Sequence, residues 1–138
     1  MSGTYEDLEL WQAAMKLAVR VYRLTAMFPT EEKYGLTSQM RRAAVSVPSN
    51  IAEGKGRSSD KELIQFLCHS RGSLFEIETQ LGIGEQLGYS TTEDSNALRR
   101  ETARVGQMIN GLIRSVCPES RAQHSRKITS ESREPAAD

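Results

Sequence analysis

The stretch Asp7–Phe28, DLELWQAAMKLAVRVYRLTAMF, decides the fold. Its apolar residues Leu10, Ala14, Leu17, Val21, Leu24 and Phe28 alternate steps of four and three. In a helix such spacing lays all six on one face, and water drives that face against neighbouring helices. A second stripe runs beside the first through Leu8, Trp11, Met15, Ala18 and Tyr22. Two adjacent stripes make a face wider than one neighbour covers. The helix is therefore either central in its bundle or meets another subunit, and Leu8, Trp11, Met15 and Tyr22 are the candidate residues of an oligomer interface.

Working outward, Phe28-Pro29 ends this first helix, because proline disfavours helical geometry in the residue before it. A loop through Tyr34-Gly35 leads to a second helix, which Thr37 or Ser38 is placed to cap and which reaches about Glu53. Pro48 inside it removes a ladder hydrogen bond and is expected to kink or break the helix. Gly54-Lys55-Gly56 is expected to terminate it. Ser58-Ser59-Asp60 before Glu62 starts a long third helix with its seam at Leu63, Leu67, Ser70, Leu74, Ile77, Leu81 and Gly84. Gly72, Gly82 and Gly84 lower its propensity and suggest close approach of a neighbouring helix. A turn at Gly88-Tyr89 precedes a fourth helix, started by Ser90 or Thr91 with Asp94 and closed by Pro118, with its seam at Leu98, Thr102, Val105, Ile109, Leu112 and Val116. Four helices joined by short loops predict an all-α, antiparallel up-down four-helix bundle over residues 1–117. Residues 118–138, rich in Ser, Arg and Glu, are expected to be a disordered tail.

Composition narrows the class of protein. The chain of 138 residues balances 18 Lys and Arg against 18 Asp and Glu, which argues against a strongly basic polymer-binding protein. No apolar run approaches the roughly 18 residues of a membrane span. The opening MSGTYEDLEL lacks the basic and apolar regions of a secretory leader. Cys68 and Cys117 both lie in helical patterns and read as reduced thiols, so a cytoplasmic location is expected.

The charges are segregated along the chain. From Lys33 to Lys61 stand Lys33, Arg41, Arg42, Lys55, Arg57 and Lys61 against Glu53 and Asp60 only. From Phe75 to Asp94 stand Glu76, Glu78, Glu85, Glu93 and Asp94 with no basic residue. Arg41, Arg42, Lys55, Arg57 and Lys61 are thus the candidate nucleic-acid contacts, through phosphates rather than bases. The plainer reading is a solvated basic face, with Arg41 or Arg42 bridging subunits.

Catalytic and metal patterns are missing. Three positions before His69 and His124 stand Phe66 and Arg121, so the Glu-x-x-His units of di-iron bundles are absent. The spacings of a structural zinc site and of a phosphate loop also fail, and no Gly-x-Ser-x-Gly elbow occurs. Glu76 and Glu78 diverge around a helix and make no carboxylate pair. Arg71, one position from the third seam, is expected to form an ion pair with Glu53 or Glu78. No catalytic residue, metal or cofactor is expected, and the chain does not read as an enzyme.

Several segments together carry a resemblance: Tyr5-Glu6-Asp7-Leu8-Glu9-Leu10-Trp11, Tyr34-Gly35-Leu36-Thr37-Ser38-Gln39, and Arg41-Arg42-Ala43-Ala44-Val45-Ser46-Val47-Pro48-Ser49-Asn50-Ile51-Ala52-Glu53-Gly54. To these add Arg71-Gly72-Ser73-Leu74 with Glu76, Glu78, Thr79, Gln80 and Leu81, and Asn110-Gly111-Leu112-Ile113. Over about residues 5–116 the chain resembles the bacterial four-helix bundle proteins of the 23S rRNA-intervening-sequence family. The resemblance implies a ring-like homo-oligomer, a homopentamer, in the cytoplasm. It also implies kinship with the accessory proteins of diversity-generating retroelements, which bind a reverse transcriptase and nucleic acid. Those relatives are strongly basic, whereas residues 1–117 here are charge-balanced. Two expectations follow: a homo-oligomeric accessory protein that binds RNA or DNA, or a scaffold whose partner is another protein.

Overall fold

A computed structural model describes residues 4–117, apart from the side chain of Asp7. The segment 118–138, read above as a disordered tail closing with Pro118 on the fourth helix, lies outside the described residues. Four α-helices carry the chain: α1 (Glu9–Thr25), α2 (Leu36–Lys55), α3 (Asp60–Gln86) and α4 (Thr92–Val116). Short 3-10 turns occupy Tyr5–Asp7 and Thr30–Glu32, and no strand occurs among the described residues.

Each helix packs against two neighbours in the order α1–α2–α3–α4 and back to α1, with the diagonal pairs farther apart. Polar contacts across each seam fix the directions. Ser73 on α3 meets Ser46 on α2 while Gly54 meets Leu63 and Phe66, so later residues of one helix face earlier ones of the other. Arg71 meets Asn110, and Arg99 meets Glu85, in the same antiparallel sense between α3 and α4. Arg20 on α1 meets Glu101 on α4, and the α1–α2 loop brings Thr25 beside Arg41. The bundle is up-down throughout.

The four-three seams become the core. Leu17, Met40, Ile51, Leu67, Ile77, Leu81, Val105 and Ile109 are fully buried. Seam residues near the helix ends, Leu24, Leu63, Leu112 and Val116, are only half-buried because less of the bundle covers them.

Local chemistry sets the helix ends. Ser59 accepts a hydrogen bond from the backbone N–H of Glu62, and Thr91 from that of Asp94, each satisfying an amide that the ladder leaves free. α3 stops at Gly88, whose φ of 80 suits glycine; the Tyr89 N–H then donates to the Gly84 carbonyl at 2.9 Å and the Gly88 N–H to that of Glu85 at 3.0 Å. The Tyr89 ring meets Phe28 at 5.4 Å, fastening this turn to the α1–α2 loop.

Three expectations are corrected. α1 ends at Thr25, before Phe28, as Met27 and Phe28 donate to carbonyls only three residues back. α2 begins at Leu36 without a Thr37 or Ser38 cap; Thr37 is buried, and the carboxylate of Glu32 accepts the Leu36 N–H at 2.8 Å instead. Pro48 does not break α2, which runs unbroken to Lys55. Proline removes one ladder donor, whereas buried Val47 and Ile51 beside it hold the segment in the core. α2 does end within Gly54-Lys55-Gly56, with Gly56 as its C-cap, while Gly54 itself lies inside the helix and is buried: a β-carbon there would stand 2.9 Å from Phe66 Cβ. Its role is close α2–α3 approach, which Gly84 shares against Phe28, whereas Gly72 and Gly82 have open space around them.

Gly54→Ala is expected to lose about 1–3 kcal/mol to overpacking, more than the roughly 1 kcal/mol of helix propensity it gains. Gly111→Ala, whose new carbon meets only Arg114 at 3.8 Å, is expected to gain about 0.5–1 kcal/mol. Urea unfolding followed by far-ultraviolet circular dichroism, at equal protein concentration, reads both signs.

Candidate functional site

The most prominent surface feature follows from the second stripe on α1. Met15 and Tyr22 of that stripe stay exposed, whereas Ala18 is buried and Leu8 and Trp11 are half-buried against the core. An open groove of about 600 Å³ results between α1 and α2. Trp11, Met15, Val19 and Tyr22 line one wall, Val45 and Pro48 the other, and Tyr5 closes one end. Met15 is 41% exposed, Val19 46%, Tyr22 42% and Val45 45%, values that leave a little under half of each of these side chains in water. The Tyr5 ring lies edge-on to Trp11 at 5.4 Å, and Gln12 donates to the Glu6 carbonyl at 3.0 Å, so the first turn is tied to α1.

Of the candidate interface residues, Trp11, Met15 and Tyr22 line this groove together, while Leu8 is half-buried against the core instead. Val19 and Val45 complete it and were missed. A signal for Val45 existed: Arg41, Val45, Pro48 and Ala52 repeat the four-three alternation on α2.

The candidate basic residues do not form one patch. Arg41 and Arg42 sit near the start of α2 and Lys55 at its end, thirteen residues from Arg42 and so about 20 Å away along the axis. Lys55, Arg57 and Lys61 gather at the α2–α3 turn, all exposed, with the Arg57 guanidinium over the Phe66 ring at 4.8 Å. Arg41 is committed elsewhere: its Nε donates to Thr25 Oγ1 at 2.9 Å, its Nη2 to the Tyr22 carbonyl at 3.3 Å, and its guanidinium lies 4.6 Å from the Tyr22 ring centre. A cation there also suits the carbonyl end of α1. Arg42 is exposed, one turn before Val45 on the rim of the groove.

Arg71 departs from its expected ion pair. Its Nη1 donates to Asn110 Oδ1 on α4 at 3.0 Å and its Nη2 approaches Cys68 Sγ at 3.6 Å, while Glu53 and Glu78 are both exposed. The outward face of α3 turns the arginine toward α4, away from Glu53 on α2. Cys68, read as part of an apolar pattern, is exposed, and both cysteines are free. Among the described residues no group of three or more His, Cys, Asp or Glu is placed to hold a metal. No helix there is long and apolar enough to cross a membrane.

The fold and groove define an all-α four-helix bundle with one apolar face left open between its first two helices. The family model for the 23S rRNA-intervening sequence protein matches residues 6–111, and the chain belongs to that family. A crystal structure from Bacteroides thetaiotaomicron, of a protein of unknown function in the S23 ribosomal protein family, is similar in fold: TM-score 0.68 at 19% identity, covering 75% of this chain and 97% of that one. A comparison with curated proteins gave no match.

Arg41→Ala is expected to destabilise by about 1–3 kcal/mol, through the lost charged hydrogen bonds and ring contact. Arg42→Ala should fall within about 0.5 kcal/mol of the parent. Thermal denaturation of the two variants side by side separates a structural arginine from a surface one.

Proposed function

We propose that this is a non-catalytic, homo-oligomeric accessory protein of the cytoplasm, assembled into a ring with the α1–α2 groove at a subunit boundary. The open apolar groove carries the reading: a chain that closes its core around four seams and still exposes Met15, Val19, Tyr22 and Val45 side by side needs a cover. The homopentamer that the family resemblance implies is the ring proposed.

Nucleic acid is the polyanion to test against the ring, because Lys55, Arg57 and Lys61 share one exposed end of the bundle. The resemblance to retroelement accessory proteins points to the same class of partner. Three cations per chain bind phosphates weakly, and repetition around a ring raises their effective concentration on one polymer. The second reading, a scaffold for another protein, draws support from Arg41, which is held against α1 and is not available to a phosphate.

Light scattering on the purified protein is expected to give a multiple of the 15.4 kDa chain mass. The double variant Tyr22→Glu with Val45→Glu should fall to a single chain with its helix content intact, since both side chains are already exposed. A parent that remains a single chain would refute the assembly. With bacterial ribosomal RNA, binding should weaken steeply with salt, and Lys55→Glu with Arg57→Glu should reduce the salt slope by about 2 while leaving the oligomer unchanged. RNA binding indifferent to that pair, or absent at low salt, leaves the protein scaffold as the function.

A further inference from the structure

A second apolar face lies on α3. The core-facing seam of that helix runs through Leu67, Ser70, Leu74, Ile77, Leu81 and Gly84. On the outward side Cys68, Gly72, Phe75, Thr79, Gly82 and Gln86 repeat the same alternation of four and three, and none of them is charged. Phe75 is 61% exposed, and Ile83 and Leu87 beside it are 47% and 57% exposed. A β-carbon added at Gly72 or Gly82 would meet nothing within 4 Å, so none of the described residues requires glycine at either place. A helix with two such seams is patterned to pack on both sides.

The two open faces carry opposite charge. Arg23 lines the groove, with Lys16 on the α4 side of Met15 and Arg42 one turn before Val45, all exposed, against a single carboxylate on the α2 rim, exposed Glu53 beside Ala52. From Gly72 to its end α3 holds Glu76, Glu78 and Glu85 and no basic residue, while Arg71, bonded to Asn110, lies against Cys68 at the start of the seam. Glu85 is already paired with Arg99, which leaves exposed Glu76 and Glu78 flanking the seam.

We infer that the groove between α1 and α2 receives the outward face of α3 from a second copy of this chain, with Phe75 as the anchoring side chain between Met15 and Val45. The inference rests on the homo-oligomeric reading above and specifies its geometry. Groove against groove would set Lys16, Arg23 and Arg42 against their own copies, and α3 against α3 would do the same to Glu76 and Glu78. Like charges brought together in that way disfavour both symmetric pairings, whereas the unlike pairing matches cation with carboxylate along its rim. The contact is therefore heterologous. Each copy offers one groove and one α3 face on different sides of the bundle, an arrangement that propagates and closes as a ring when the rotation between copies allows it.

A complementation experiment tests this. Phe75→Asp damages only the α3 face, and Tyr22→Glu with Val45→Glu damages only the groove; all three side chains are exposed, and circular dichroism checks that both proteins keep their helix content. By light scattering each variant alone is expected at single-chain mass. Mixed in equal amounts they should form a dimer of one copy each, because one intact groove and one intact α3 face remain. If Phe75→Asp assembles like the parent, or if the mixture at high protein concentration stays at single-chain mass, the inference is overturned. If the parent itself is a single chain, the homo-oligomeric reading has failed first, and the two failures are told apart.

Discussion

The close approach of α2 to α3 is the constraint on which the rest of the bundle depends. Small residues make it possible: Gly54 leaves room for Phe66 and Leu63, and Ser46, Ser70 and Ser73 line the contact where bulkier side chains would hold the backbones apart. Their hydroxyls do not go unpaired on burial. Ser70 donates to the Val47 carbonyl at 2.8 Å, Ser73 to Ser46 Oγ at 2.8 Å, and Asn50 to the backbone and side chain of Ser46. A buried hydroxyl without a partner would oppose folding, so this polar line must form together with the packing or not at all. It also gives the helix pair a register that apolar contacts alone would specify loosely.

That contact explains how α2 serves three neighbours at once. One side, through Ala43, Val47, Ser46 and Gly54, meets α3 and the core; another, through Arg41, holds the end of α1; the third, through Val45, Pro48 and Ala52, is half of the open groove. Proline at position 48 is compatible with all three. It carries no amide to leave unpaired, and its ring offers a rigid apolar surface to the groove wall. The segment Arg41–Gly54 is poor in large apolar residues because its work is close packing and surface presentation, with bulk supplied by α1 and α3.

The fold was legible because four-three periodicity depends only on the order of residues along the chain. The seams of α1, α3 and α4 could be traced residue by residue, as could the turn at Gly88 and the capping segments Ser58-Ser59-Asp60 and Ser90-Thr91, within which Ser59 and Thr91 are the caps. What escaped was chemistry set by neighbours distant in sequence. The carboxylate of Glu32 took the capping role assigned to Thr37, because the loop geometry that delivers it is tertiary. Arg71 found Asn110, thirty-nine residues away, and no local spacing names that partner. The basic residues looked contiguous as a string, but a helix places Arg42 and Lys55 at opposite ends of a rod, so a run of charge became two separate groups.

The apolar surface was half legible for the same reason. The second stripe on α1 announced an uncovered face, whereas the matching stripe on α2 and the outward seam on α3 are interrupted by small and polar residues that blur their periodicity. Only when the core-facing sides are assigned do the leftover positions stand out as patterned: Val45 with Pro48 and Ala52, Phe75 with Gly72 and Thr79. A seam that packing inside the chain does not use is information about something outside it. The charges beside the two leftover seams narrow that information further: Arg23 and Arg42 stand beside the groove, and Glu76 and Glu78 beside the ridge on α3, so charge and shape favour the same pairing.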